Sequence, residues 1–141
     1  MTIEENKTLV RRWLETRLED ASVAVDGFLA PGYVDHNPVP GVPADREGAR
    51  RMYRMLREAM PDLRCHVDVM MAAADQVAVL LTWEGTHRGE LMGIPATGRH
   101  ATWTEMNVVR VDSGRIADVW GISNQMLLMQ QLGVIPAPGS R

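Results

Sequence analysis

The feature that most constrains this chain is the alternation of apolar and polar side chains through most of residues 77–121. Three alternating segments are joined by a Gly- and Pro-containing excursion and by a tight turn. A period of two indicates β-strands with one buried face, because successive side chains of a strand point to opposite sides. Every second side chain of each strand can enter a common cavity, so we expect the walls of any site to lie here.

The alternating pattern starts earlier in the chain and predicts four strands in total. They cover residues 63–71, 76–85, 100–111 and 116–123. The sequence Asp112-Ser-Gly114 is typical of a tight hairpin turn, with glycine where the backbone needs a positive φ. The strands follow one another with short connections, which predicts a meander.

Helical spacing of apolar residues dominates the chain before the strands. Thr2-Ile-Glu-Glu5 fits a capping box for a helix over residues 3–19. A second helix is predicted at residues 22–29, with Ala30-Pro31-Gly32 ending it and a short extended piece at residues 33–36 following. Asp45 caps a third helix that Pro61 ends. Asn124 caps a last helix to residue 132, before a loosely held tail at 135–141. The predicted class is α+β, with a curved sheet around the helices.

Composition and charge exclude several classes of function. A chain of 141 residues suits a single domain, residues 1–141, and a net charge of -3 gives no reason to expect nucleic acid or an anionic membrane as a partner. The only cysteine, Cys65, excludes an internal disulfide, and the four histidines lack metal-ligand spacing. No secretory signal or membrane-spanning run is visible, so we expect a cytoplasmic protein.

Short motifs that occur in order along the chain point to a family. They are Tyr33-Val-Asp-His-Asn-Pro38, Met60-Pro-Asp-Leu63, Gly85-Thr-His-Arg-Gly89, Leu91-Met-Gly-Ile-Pro-Ala-Thr-Gly-Arg99 and Asp112-Ser-Gly-Arg-Ile-Ala-Asp-Val-Trp120. With Gln131-Leu-Gly133, they resemble the SnoaL-like polyketide cyclase family over nearly the whole chain. The resemblance implies the cone-shaped, mainly antiparallel α+β fold of ketosteroid isomerase and limonene epoxide hydrolase. It also implies cyclases that use neither metal nor organic cofactor, and homodimers or larger homo-oligomers formed through the sheet.

Two positions depart from the pattern that the resemblance implies. The family's general-base aspartate would follow Trp120, where this chain has Gly121, and its assisting histidine falls on Asn107. Glycine cannot take a proton, and an amide is not a base near neutral pH. The usual cyclase mechanism therefore cannot be transferred to this chain.

Glu105 is the sequence's best substitute for the missing base. It shares a strand face with Trp103 and Asn107, so all three side chains enter the cavity if the strand is regular. Desolvation beside an indole disfavours a charged carboxylate, the usual route to an acid or base useful near pH 7. Asn107 would orient a carbonyl or enolate oxygen. The alternatives are a Glu105 that reaches solvent or an arginine, and an Asn107 that is a hydrogen-bonded core amide.

Two further acid/base candidates lie near the predicted mouth of the cone. His36 could exchange a proton near neutral pH, or it could simply fix the proline-rich loop that follows. Asp35 is a reserve carboxylate, although it points the other way from His36 if the segment is extended. Apolar and aromatic residues are expected to bind the substrate, with core packing as the alternative: Trp103, Tyr53, Trp83, Met52, Met106, and the space above Gly121.

The resulting hypothesis is a cofactor-independent enzyme that cyclises or isomerises a small apolar, oxygenated ring compound. Glu105 or His36 would act as acid or base, with Asn107 as oxyanion partner. Epoxide opening is a second enzymatic reading. A third hypothesis is a non-catalytic small-molecule-binding module, which the absence of the family's aspartate at Gly121 favours.

Overall fold

The computed structural model of the protein describes residues 1–136 and Gly139. The predicted loose tail therefore falls largely outside the described residues. The elements are four helices, α1 (Ile3–Glu19), α2 (Ala21–Phe28), α3 (Arg46–Ala59) and α4 (Gln125–Gln131), and five strands, β1 (Leu29–Asp35), β2 (Arg64–Ala73), β3 (Gln76–Thr86), β4 (His100–Asp112) and β5 (Arg115–Ser123).

Local capping explains where the helices begin. The backbone N–H of Glu5 donates to Thr2 Oγ1 at 3.1 Å, and the Glu5 carboxylate accepts from the Thr2 backbone at 3.2 Å, so the predicted capping box is present. Asp20 caps α2 by accepting from the backbone of Ser22 and Val23. Asp45 and Asn124 cap α3 and α4 as predicted. These caps satisfy N–H groups that a helix leaves unpaired.

The sheet has one strand more than the sequence predicted. Pro31 and Gly32 do not simply end a helix, because they lie inside β1, which pairs parallel with β5. The strand tolerates proline because it lies at the sheet edge, in the order β1-β5-β4-β3-β2, and its register shifts between Leu29 and Val34. The other four strands form the predicted antiparallel meander.

The curved, unclosed sheet presents one face to the helices, and this inner face carries the core. The alternating side chains Trp83 and Leu81 on β3 and Trp103 and Val109 on β4 are buried. Trp13 of α1 packs against the same core. The result is the predicted α+β architecture of a mainly antiparallel sheet around the N-terminal helices.

The outer face of the sheet is more exposed and carries Met106. Its side chain is 53% exposed, and so is much of Met71, Trp120 and Ile122. The prediction that Met106 lines the cavity is therefore wrong. The reason is geometric: Met106 lies between Glu105 and Asn107 on a regular strand, so it must point away from the face that they share.

Among residues 1–136 and 139, no helix is long and apolar enough to cross a membrane.

Candidate active site

A cavity of about 230 Å³ lies between the inner face of the sheet and the helices. Its walls are mainly apolar, and its polar groups come from both sides. Those on the sheet side include Glu105, Asn107 and Asp35, and those on the helix side include Arg17 and Tyr53. A mainly apolar space with a few convergent polar groups is the usual form of a small-molecule site.

Glu105 enters this cavity, and two donors hold one of its oxygens. Trp83 Nε1 donates to Glu105 Oε1 at 3.1 Å, and Asn107 Nδ2 donates to the same oxygen at 3.2 Å. Both bonds suit the carboxylate form, which only accepts. Oε2 makes no hydrogen bond with the described residues. One oxygen is thus fixed, and the other can accept a proton from a bound molecule.

Gly121 lies directly opposite Asn107 in the β4–β5 pairing. A Cβ atom at Gly121 would be 2.6 Å from Asn107 Oδ1 and 3.9 Å from Glu105 Oε2. The Asn107 amide therefore occupies the space that any side chain at position 121 would need. Asn107 is only 3% exposed, and its side-chain amide donates a hydrogen bond to the Glu105 carboxylate.

Two buried tyrosines bring hydroxyl groups to the cavity. Tyr53 Oη accepts a hydrogen bond from Trp13 Nε1 at 3.2 Å, which leaves its own hydrogen free to donate. Burial raises the pKa of Tyr53 to about 12, against an opposing effect of the nearby Arg17 charge. Burial also raises the pKa of Tyr33 above its ordinary value. Both phenols therefore stay protonated near neutral pH and can donate to an oxygen of a bound molecule.

Arg17 is a cavity residue that the sequence reasoning missed. Its guanidinium lies over the rings of Trp13 and Trp83, at 5.1 and 4.6 Å from their centroids, and it is 8% exposed. A signal was present, because Arg17 lies four residues after Trp13 and three after Leu14, which places it on the apolar face of α1. An arginine on such a face is unusual.

Asp35 and His36 are placed the other way round from the expectation: the reserve carboxylate lines the cavity, and the histidine does not. Asp35 lines the cavity, where its Oδ1 accepts from the backbone of Asn37 at 2.9 Å. His36 is not among the cavity residues: it stacks on Trp120, with ring centroids 4.4 Å apart, and Nε2 contacts Asp118 Oδ1 at 2.9 Å. The expectation that His36 lies at the mouth of the cone is therefore wrong: Tyr33 and Asp35 of β1 face the cavity, and His36, directly after the strand, points to the opposite face.

The other predicted binding residues are placed on the cavity wall. Trp83 and Trp103 face each other across β3 and β4 with nearly parallel rings, 6.2 Å between centroids. Met52 and Tyr53 line the cavity from α3. Together they make a wall that is flat and aromatic on the sheet side and more adaptable on the helix side.

Comparison with known proteins agrees with this architecture. The sequence profile of the SnoaL-like polyketide cyclase family matches residues 7–132. The chain belongs to this family.

Several relatives of this SnoaL-like protein come from Streptomyces. Aklanonic acid methyl ester cyclase DauD of Streptomyces sp. (strain C5) is 28% identical over 132 residues, which are 89% of this chain and 80% of DauD. The structure of TsrD from Streptomyces laurentii is 26% identical, with a TM-score of 0.86 over 96% of this chain and 99% of TsrD. IdmH of Streptomyces antibioticus, provisionally assigned as a polyketide cyclase, is 31% identical, with a TM-score of 0.79 over 91% of this chain and 98% of IdmH.

Proposed function

We propose that this SnoaL-like protein is a cofactor-independent cyclase that closes a ring by proton transfer on a polyketide-derived carbonyl compound. The observation that carries the proposal is the state of Glu105. Two N–H donors hold its Oε1 while Oε2 remains open beside Gly121. A carboxylate fixed in a mainly apolar cavity suits the role of general base.

The proposed reaction is an intramolecular aldol addition. Glu105 removes a proton from the carbon next to a carbonyl group, and the electron pair of that C–H bond moves onto the carbonyl oxygen. The resulting enolate carbon attacks a second carbonyl carbon of the same molecule, which forms the C–C bond and an alkoxide. The protonated Glu105 then returns its proton to the alkoxide, so the base is regenerated and no redox partner is needed.

Tyr53 is the proposed donor to the enolate oxygen. Its hydroxyl hydrogen is free because Oη already accepts from Trp13, and its high pKa keeps the proton in place. Preorganised donors of this kind are often a large contribution to catalysis. Asn107, expected from the sequence to hold this oxygen, is instead proposed to orient Glu105.

The cavity volume supports a substrate of modest size. At about 230 Å³, it lies below the roughly 300–1,000 Å³ typical of pockets for drug-sized ligands. We propose that one or two rings of the substrate enter the cavity and that the remainder stays outside it.

The test uses two probes: aklanonic acid methyl ester, suggested by the name of the relative DauD, and α-tetralone, whose exchange of α-protons in D₂O reports base catalysis by NMR. Glu105→Gln keeps the shape and should lower either rate roughly 10²–10⁴-fold, the usual contribution of a general base. Tyr53→Phe should lower turnover roughly 10²–10³-fold. The matched control is Arg12→Gln, an exposed change on α1 outside the cavity, which should leave both rates unchanged.

Unchanged rates in Glu105→Gln would rule out this base. A second candidate function is epoxide opening, favoured because two carboxylates, Glu105 and Asp35, line one cavity. It predicts incorporation of ¹⁸O from labelled water into the product of an epoxide probe such as styrene oxide. If wild-type protein binds all these probes without converting any, the proposal of catalysis gives way to a binding module.

A further inference from the structure

Arg17 carries a buried positive charge that has no anionic partner among the residues that the structure describes. It is 8% exposed, and none of the ion pairs within residues 1–136 and 139 includes it. Its Nε is buried without a hydrogen-bond partner among the same residues, and a terminal nitrogen reaches only the sulfur of Cys65 at 3.8 Å. Burying an unpaired charge is unfavourable, so a pairing group is expected from outside the chain.

The surroundings fix the guanidinium without using its donors. Trp13 and Trp83 lie against it through their ring faces, and such cation–π contacts leave the N–H groups free. Sulfur is a weak acceptor, so the contact with Cys65 satisfies little of the donor capacity. Arg17 is thus held in one place with unused N–H groups.

The charge of Arg17 also acts on the cavity that it lines. It opposes the effect of burial on the pKa of Tyr33, Tyr53 and Cys65. Trp83 contacts both Arg17, through its ring face, and Glu105, through its indole N–H, while no ion pair joins these two charged groups. The cavity therefore holds separated positive and negative groups, one on the helix side and one on the sheet side.

We propose that Arg17 binds a carboxylate-type anionic group of the substrate, and so selects acidic carbonyl compounds. A planar guanidinium suits a planar, delocalised anion because parallel N–H bonds can form to both oxygens. The anion would be held at α1 while the rest of the molecule reaches Glu105. Calling this ligand the substrate rests on the proposed function, but the binding preference itself does not.

The test compares two probes of the same shape, 2-naphthoate and neutral 2-naphthamide, at pH 7. Titration followed by the indole N–H signals of Trp13 and Trp83 gives both dissociation constants at the site. Wild-type protein should bind naphthoate roughly ten- to a hundredfold more tightly, as expected for a charge-assisted hydrogen bond. Equal binding of the two probes by wild-type protein would overturn the proposal, whatever happens in any variant.

Variants then assign the preference to Arg17. Arg17→Gln should bind both probes within about threefold of each other, and Arg17→Lys should keep part of the preference because it keeps the charge but loses the planar fork. Arg12→Gln removes the same charge from an exposed position of α1 and should keep the full preference. A preference that persists in Arg17→Gln would contradict the assignment. If Arg17→Gln does not fold, the wild-type comparison still tests the anion preference, and the partial preference expected of Arg17→Lys still tests its assignment to Arg17.

Failure of this inference is distinguishable from failure of the proposed function. Glu105→Gln should lower turnover roughly 10²–10⁴-fold yet bind naphthoate at least as tightly as wild-type protein, because a negative charge has left the cavity. If Glu105→Gln retained turnover, the proposed base would be wrong while the anion preference stood. If turnover depended on Glu105 and both probes bound equally, the proposed function would stand without an anion site.

Discussion

Replacing Gly121 by alanine tests whether the Asn107 amide occupies the space that a side chain at position 121 would need. The new Cβ would lie 2.6 Å from Asn107 Oδ1, well inside van der Waals contact, so the amide must move. Asn107 is buried and bonded to Glu105, so movement strains the packing or breaks a hydrogen bond to a charged acceptor. Overpacking costs about 1–3 kcal/mol, and such a bond contributes about 1.5–3 kcal/mol. We therefore expect Gly121→Ala to lower the free energy of unfolding by about 1–3 kcal/mol.

The measurement is urea denaturation followed by tryptophan fluorescence, with calorimetry for the midpoint temperature. A loss of this size in a domain of this length lowers Tm by roughly 3–10 °C. Gly32→Ala is the matched control: it lies in a strand, a Cβ there meets no heavy atom within 4 Å, and the change should stay within about 0.5 kcal/mol.

A double-mutant cycle locates the cause of this loss. In an Asn107→Ala background the obstructing amide is gone, so adding Gly121→Ala should cost at least about 1 kcal/mol less than it does in wild-type protein. An equal cost in both backgrounds would show that the steric argument is wrong. So would a Gly121→Ala protein as stable as the Gly32→Ala control.

Two further predictions concern the outer face and the packing of α3. The pKa of Asp118 is held below its usual range, chiefly by the hydrogen bond from His36. A lowered carboxyl pKa stabilises the folded state above the unfolded-state value of about 3.9. The free energy of unfolding should therefore fall as pH drops below about 4, and it should fall less steeply in Asp118→Asn. Urea denaturation at several pH values between about 2 and 6 measures both dependences; equal dependences on pH would contradict this. In Gly48→Ala the Cβ would overlap the backbone oxygen of Pro43, so the free energy of unfolding should fall by about 3 kcal/mol or more. Gly27→Ala is the control, and it should be neutral or slightly stabilising. Similar urea midpoints for the two variants would refute the packing argument.

Periodicity and capping predicted most of the fold. The capping box at Thr2 and Glu5 fixed the start of α1, and the alternation around Glu105 correctly placed Trp103, Glu105 and Asn107 on one face of β4. Such signals are local, because a strand with one buried face must alternate and a helix must satisfy its first N–H groups. The same alternation predicts that Met106 points to the opposite face from Glu105 and Asn107, so the expectation that it lines the cavity was inconsistent with the pattern.

The remaining features depend on partners that are distant in sequence. Pro31 reads as a breaker in isolation, and only the pairing of β1 with β5 makes it an edge-strand residue. His36 finds Asp118 and Trp120 on β5, which no local pattern indicates. The guanidinium of Arg17 lies over two tryptophan rings, one of which belongs to β3. Each of these features includes a contact between residues that are distant in the sequence, so a local pattern cannot predict it.

The parallel pairing of β1 with β5 also sets the order in which the protein can be completed. Leu29 pairs with Ile116, and Asp35 pairs with Val119. β1, which is synthesised early, therefore cannot pair until β5 has left the ribosome. During synthesis β2, β3 and β4 can pair as neighbours, whereas β1 stays unpaired until β5 emerges. Non-local pairing is slow because a long loop must close first. Asp35 and Gly121 both line the cavity, so this part of its wall is complete only once β1 has paired with β5.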